Sequence, residues 1–191
     1  SNKSWRLLAS TTSGQTIKQA WQENQSPLAN GNPGFGTMLS KNGANLAAVQ
    51  ALGFDTLSAA ASLYSYNKTT DNLDAVPWTG TALDSVHAYF IFVRGDRSPN
   101  QFNTGSISPA TTSTVLRSRG TLFTGDQAAV ATGTSGWALV RNPYPSRIAM
   151  ANIVRSGISN AYQVWDSKMG GGYGVGGYQT FTWNGSNYVV S

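Results

Sequence analysis

Ala88-Tyr89-Phe90-Ile91-Phe92-Val93 is an unbroken apolar run that stops at Arg94-Gly95-Asp96. It is too short for a core helix, and it is rich in aromatic and β-branched residues. That combination predicts a central strand covered on both faces. Outward from it, further strand signals recur at 5–9, 62–66, 113–117, 137–140, 161–165, 179–183 and 188–190. Asn184-Gly185, between the last two, predicts a two-residue hairpin turn. Helical pattern is scarce. Residues 16–23 set Ile17, Ala20 and Trp21 on one face, and 45–52 and 147–154 each allow a turn or two. The fold class is therefore all-β: a β-sandwich of jelly-roll or immunoglobulin-like character with short helical turns.

An internal echo organises these signals. Trp5-Arg-Leu-Leu-Ala-Ser10 matches Trp137-Ala-Leu-Val-Arg-Asn142, and each is followed by a short helical segment anchored on Ile17 or Ile148. Each copy then reaches a Tyr-bearing strand, at Tyr64 and at Tyr162. The expectation is two related halves, 1–130 and 131–191, the first containing the Arg-Gly-Asp-Arg block. The first copy continues into 88–93, whereas the second stops at Ser191, where its equivalent strand should begin. A half without its last strand has an open edge, and open edges recruit strands from a neighbouring domain or subunit. The N-terminal Ser1-Asn2-Lys3-Ser4-Trp5 is no signal peptide and lacks Met, as expected of a fragment or processed product.

Composition narrows the function classes. Charged residues make up 11% of the 191, under half of the usual ~25%. Ser, Thr, Asn, Gln and 21 Gly take their place, a surface common in secreted β-proteins. With no Cys, neither a disulfide framework nor a Cys-ligated metal can form. No apolar stretch approaches the ~20 residues of a membrane helix. The net charge of +5 is concentrated between Arg94 and Arg155, where seven Arg face only Asp96 and Asp126. They stand singly among Ser, Thr and Gly with no Lys-rich run, so an anionic glycan or acidic partner fits them better than nucleic acid.

Catalytic signatures are weak. Glu23 is the single Glu, and the seven Asp fall mostly in turn-like contexts. A glycosidase would need two carboxylates across a cleft, here Asp71 and Asp84 at best. Asp71 and Asp74 in a polar loop could hold a structural calcium ion, although a solvated loop is the simpler reading. No other cofactor is expected. His87, the only histidine, has no nucleophile motif beside it and cannot form a zinc site alone. Arg94-Gly95-Asp96 reads as a turn after a buried strand, with Arg97 close enough to pair with Asp96. Among the aromatics, Trp5, Phe90, Phe92 and Trp137 read as core. Trp78, Trp183, Tyr173 and Tyr178 lie at turns or in the Gly-rich loop and could stack on sugar rings, with Arg117 and Arg119 as polar partners.

Two blocks carry a resemblance. Gly136-Trp-Ala-Leu-Val-Arg-Asn-Pro-Tyr-Pro-Ser-Arg-Ile148 is similar to a Gly-Trp-x-Leu-x-x-Asn-Pro-Tyr-Pro-Ser-x-Ile signature, followed by the Tyr-x-x-Trp strand at 162–165. Tyr89-Phe-Ile-Phe-Val-Arg-Gly-Asp-Arg-Ser98 and Thr114-Val-Leu-Arg-Ser-Arg-Gly-Thr-Leu-Phe-Thr-Gly125 form the second. Together they resemble surface and secreted proteins of Bacteroidetes exported by the type IX secretion system. The resemblance implies an extracellular or cell-surface location for the parent protein and implies no activity. The expected function is a non-catalytic structural or adhesive module of a stalk, fibre or matrix contact. The alternative is a carbohydrate-binding module using the loop aromatics and Arg residues.

Overall fold

The computed structural model of the chain describes residues 3–25, 34–56, 58–98, 113–128, 130–170 and 176–191. The all-β class holds. Among the described residues nine strands form three antiparallel sheets, with two short α-helices and a 3₁₀ turn at Met150–Asn152. The main sheet comprises β1 (Ser4–Leu8), β3 (Leu63–Asn67), β4 (Asn72–Ala75) and β5 (Tyr89–Val93) in the order β1-β5-β3-β4. The apolar run 88–93 thus lies at the centre, as its composition requires.

Strand alternation divides the main sheet into two faces. Leu8, Leu63, Tyr89, Ile91 and Val93 point to the core. There they meet Ile17, Ala20 and Trp21 of α1 (Ile17–Trp21), Val49 of α2 (Leu46–Ala51) and the loop residues Leu39, Phe54, Val76 and Leu83. Helices and loops, not a second sheet, cover this face. Trp21 meets Tyr89 edge-on at 5.2 Å. Both helices are capped: Thr16 and Gln19 form a reciprocal capping box on α1, and Asn45 caps α2. Inside this core Arg97 makes a bidentate ion pair with Asp55 at 2.6 and 2.7 Å, both side chains fully buried. Asp55 also accepts from the Leu39 amide at 3.0 Å, which ties the loop to the strand layer.

The opposite face carries Trp5, Tyr64, Phe90 and Phe92. Trp5 stacks on Phe90 at 4.6 Å and 8°. A three-stranded meander, β7 (Ala161–Asp166), β8 (Gly177–Trp183) and β9 (Tyr188–Val190), touches this face through Trp165. The Trp165 ring meets Phe90 edge-on at 4.8 Å, and its indole N–H donates to the Trp5 carbonyl oxygen at 2.9 Å. The third sheet is a two-strand pairing of β2 (Thr12–Ser13) with β6 (Thr121–Leu122).

Several expectations are corrected. Residues 113–117 and 137–140 form no strand, because neither segment finds a ladder partner among the described residues. Trp137 is 56% exposed rather than core. It closes a turn in which Gly133 N–H donates to the Trp137 carbonyl, which also accepts from the Tyr66 hydroxyl. The two echo segments therefore differ in conformation, the first a strand and the second, residues 137–142, without regular secondary structure. The Asn-Gly hairpin has a four-residue loop, since Trp183 pairs with Tyr188. Asn184 Oδ1 accepts from both the Ser186 and Asn187 amides within it. Residues 67–74, read as loop, include a strand: β4 returns along β3 with Asn67 opposite Asn72.

The Asn-Pro-Tyr-Pro stretch folds as a clip. Asn142 accepts from the Tyr144 amide at 3.0 Å and donates to the Ser146 carbonyl at 2.6 Å, while the Tyr144 hydroxyl donates to the Gly125 carbonyl at 2.6 Å. Arg94-Gly95-Asp96 is a structural turn. Asp96 is buried and accepts from the Ser98 and Gly34 amides, so its carboxylate is turned away from solvent.

Candidate functional site

The β2–β6 pairing places two distant segments side by side, with Thr12 opposite Leu122 and Ser13 opposite Thr121. Gly120 makes the approach possible. Its φ is +135°, and a Cβ there would lie 1.7 Å from the Ser13 carbonyl oxygen. Arg119 and Gln15 are thereby held together, the Arg119 amide donating to Gln15 Oε1. Beside them α1 ends in two consecutive left-handed residues, Glu23 (φ 50°) and Asn24 (φ 58°). That turn carries the Glu23 carboxylate to Arg117, and the two form an ion pair. The segment holding Arg117 and Arg119 has no regular secondary structure, and both residues line the same groove.

The result is a groove of about 300 Å³ floored by Gly14 and Ala20. Its walls are Gln15, Gln19, Glu23 and Asn24 on one side, with Arg117 and Arg119 on the other. Two guanidiniums against one carboxylate leave it positive. Gln15 Oε1 and Gln19 Oε1 are engaged with backbone amides, of Arg119 and Thr16 respectively. Their NH₂ groups and the Arg119 guanidinium have no protein partner among the described residues. The groove is thus rich in unoccupied donors.

The other expected site residues are not gathered there. Trp78 is 52% exposed, with its ring folded over the backbone of Gly80. Tyr178 and Trp183 stand on opposite faces of β8, an odd number of residues apart, which rules out a common platform. Each instead packs edge-on against a neighbour, Tyr178 on Trp165 at 5.0 Å and Trp183 on Tyr188 at 5.1 Å. Tyr173 lies outside the described residues. The Arg run does not form one patch either. Arg97 and Arg141 are buried, Arg94 sits over the Phe92 ring and Arg155 over Tyr188.

The carboxylates considered for catalysis or calcium hold the chain together. Asp71 accepts from the Tyr66 hydroxyl, from Thr134 Oγ1 at 2.6 Å and from the Ser135 amide. These bonds, that of Thr134 foremost, lower its pKa to about 2, and the bond to Asp71 raises that of Tyr66 to about 12. Asp74 accepts from Asn67 at 2.8 Å. Asp84 accepts from the Val86 and His87 amides and contacts His87 Nδ1, all at 2.8 Å. Among the described residues no three His, Cys, Asp or Glu side chains are grouped to hold a metal ion. No helix among them is long and apolar enough to cross a membrane.

The second feature that stands out is the β7–β9 sheet. Tyr162, Phe181, Trp183 and Tyr188 share one of its faces, with Tyr162 stacked on Phe181 at 5.0 Å. No residue in the three strands is buried. Both outer edges lack a partner strand among the described residues. Comparison with protein-family models, curated proteins and solved structures finds no match.

Proposed function

We propose that the chain is a non-catalytic structural or adhesive module of a bacterial cell-surface or extracellular protein. A strand from a neighbouring subunit or domain completes its β7–β9 sheet. The observation that carries this reading is a sheet with an aromatic face, no buried residue in its strands and a β9 edge that no described strand pairs. The location rests on the low-charge composition and on the resemblance to type IX-exported proteins of Bacteroidetes.

Of the two edges, β9 is the better docking strand. Natural edges are blunted with charge or Pro, and 187–191 contains neither. The ladder phase fixes what it offers. Ser191 N donates to the Thr180 carbonyl and Asn184 N to the Asn187 carbonyl, so Val189 faces β8 while Tyr188 and Val190 point their backbone groups outward. The Val190 side chain is 62% exposed. A second copy can pair antiparallel across a two-fold axis at Val189, setting Tyr188 of each copy opposite Val190 of the other. Aromatic and β-branched residues are favourable in such cross-strand positions.

The absence of cysteine makes the test direct. In that pairing Val189 lies opposite itself in a non-hydrogen-bonded pair, at ~4.5 Å between Cα atoms, close enough for a disulfide. Val189→Cys should form a covalent dimer on mild oxidation, and Val154→Cys, at a 96% exposed site, should not. Equal cross-linking of the two variants would contradict pairing through β9.

A further inference from the structure

We infer that the groove between α1 and the 117–120 segment is a binding site for an acidic sugar residue, its carboxylate held by Arg119. The groove shares no residue with the β7–β9 sheet, so this inference stands or falls separately from the structural reading.

The chemistry of the walls selects the ligand. Arg119, Gln15 and Gln19 present donors with no protein partner among the described residues. A guanidinium flanked by amide NH₂ groups is matched by a carboxylate, which accepts in a bidentate manner. Glu23 and the Asn24 amide add acceptors on the same wall, and an acceptor beside donors suits hydroxyl groups, which both give and take hydrogen bonds. The volume of about 300 Å³ is at the lower end of small-molecule sites, a size for one or two sugar rings.

Other anionic partners fit less well. Single-stranded nucleic acid binds on aromatic stacking platforms, and none of the described residues lining this groove is aromatic. A peptide would need apolar pockets or a strand edge, and among the described lining residues Ala20 is the only one with an apolar side chain. The Glu23–Arg117 ion pair has a defined part in the site. It orients the wall and keeps one guanidinium from adding to the charge at Arg119, which favours a single carboxylate over a densely anionic ligand.

Calorimetric titration of the whole chain with galacturonate oligomers is the test, with galactan oligomers and polyglutamate as comparisons. Galacturonate should bind, galactan at least about tenfold more weakly, and Arg119→Ala should cost about tenfold or more for galacturonate. Arg119 is exposed, so that variant should keep the fold, and its thermal unfolding checks this. Arg119→Lys should recover only part of the affinity, because a single ammonium cannot replace the planar fork. No galacturonate binding, or binding that Arg119→Ala leaves intact, would overturn the inference. Polyglutamate binding as tightly as galacturonate would overturn it too, and would assign the groove to acidic peptide.

Discussion

The indole N–H of Trp165 donates to the main-chain oxygen of Trp5 at 2.9 Å, joining the β7–β9 sheet to the free side of strand β1. Among the described residues all the buried hydrophobic ones lie between Ile17 and Phe92, and none of these belongs to the meander. Its attachment depends on Trp165, which also meets Phe90 edge-on.

Trp165→Phe should keep the ring contact and lose the hydrogen bond, costing about 1 kcal/mol. Trp165→Ala should cost about 3 kcal/mol, at the lower end for aromatic truncation because the ring is only partly buried. Urea unfolding reads both. Hydrogen exchange in the alanine variant should rise in 161–190 and stay low in β5; a uniform rise across the chain would count against a separable meander.

The Asp55–Arg97 pair sits inside the main core, with both side chains fully buried. Asp55→Asn removes the carboxylate charge opposite a buried guanidinium and should cost about 3–5 kcal/mol. The midpoint of denaturant unfolding measures the loss. A change under 1 kcal/mol, on the order of an exposed ion pair, would show that the pair does not hold the 54–56 loop to the strand layer.

Asp71 ties the β3–β4 hairpin to residues 134–135, and its pKa falls from 3.8 to about 2 on folding. A depressed carboxylate contributes stability above its unfolded pKa and loses it as pH drops through the folded value. The Thr134 and Ser135 amide resonances should therefore shift together as pH falls from about 4 to about 2. Tyr66 behaves inversely. Its raised pKa means the contribution is complete below about 10 and lost through about 12. Asp71→Asn should abolish the acid-side shift and return Tyr66 towards ordinary phenol titration.

What the sequence showed and what it hid follow from how local each signal is. The run 88–93 announced a central strand because its whole length is apolar. The Ile17, Ala20, Trp21 face announced α1 because the spacing is helical. Strand β4 was hidden because Asn72-Leu-Asp-Ala75 has turn composition and is held by its register with β3. Trp137 was misleading for the opposite reason, an apolar run with strand character and no partner to pair with. The groove was half legible. Arg117 and Arg119 stand out at alternate positions, but Glu23, Gln15 and Gln19 come from a remote segment and meet them only through the β2–β6 pairing. Sequence proximity likewise set Arg97 beside Asp96, while the fold pairs it with Asp55.

Strand β9 is proposed as an open edge that accepts a strand from outside. Residue-resolved amide hydrogen exchange, measured across a series of protein concentrations, tests it most directly. At low concentration Val189 should exchange slowly, bonded to β8, and Tyr188 and Val190 should exchange near the rate of an unstructured peptide. At high concentration Tyr188 and Val190 should gain protection, and Val190→Pro, which removes an outward donor without touching the β8 ladder, should abolish that gain. Protection of both amides at the lowest concentration would mean the edge is covered within the chain, and would contradict the claim.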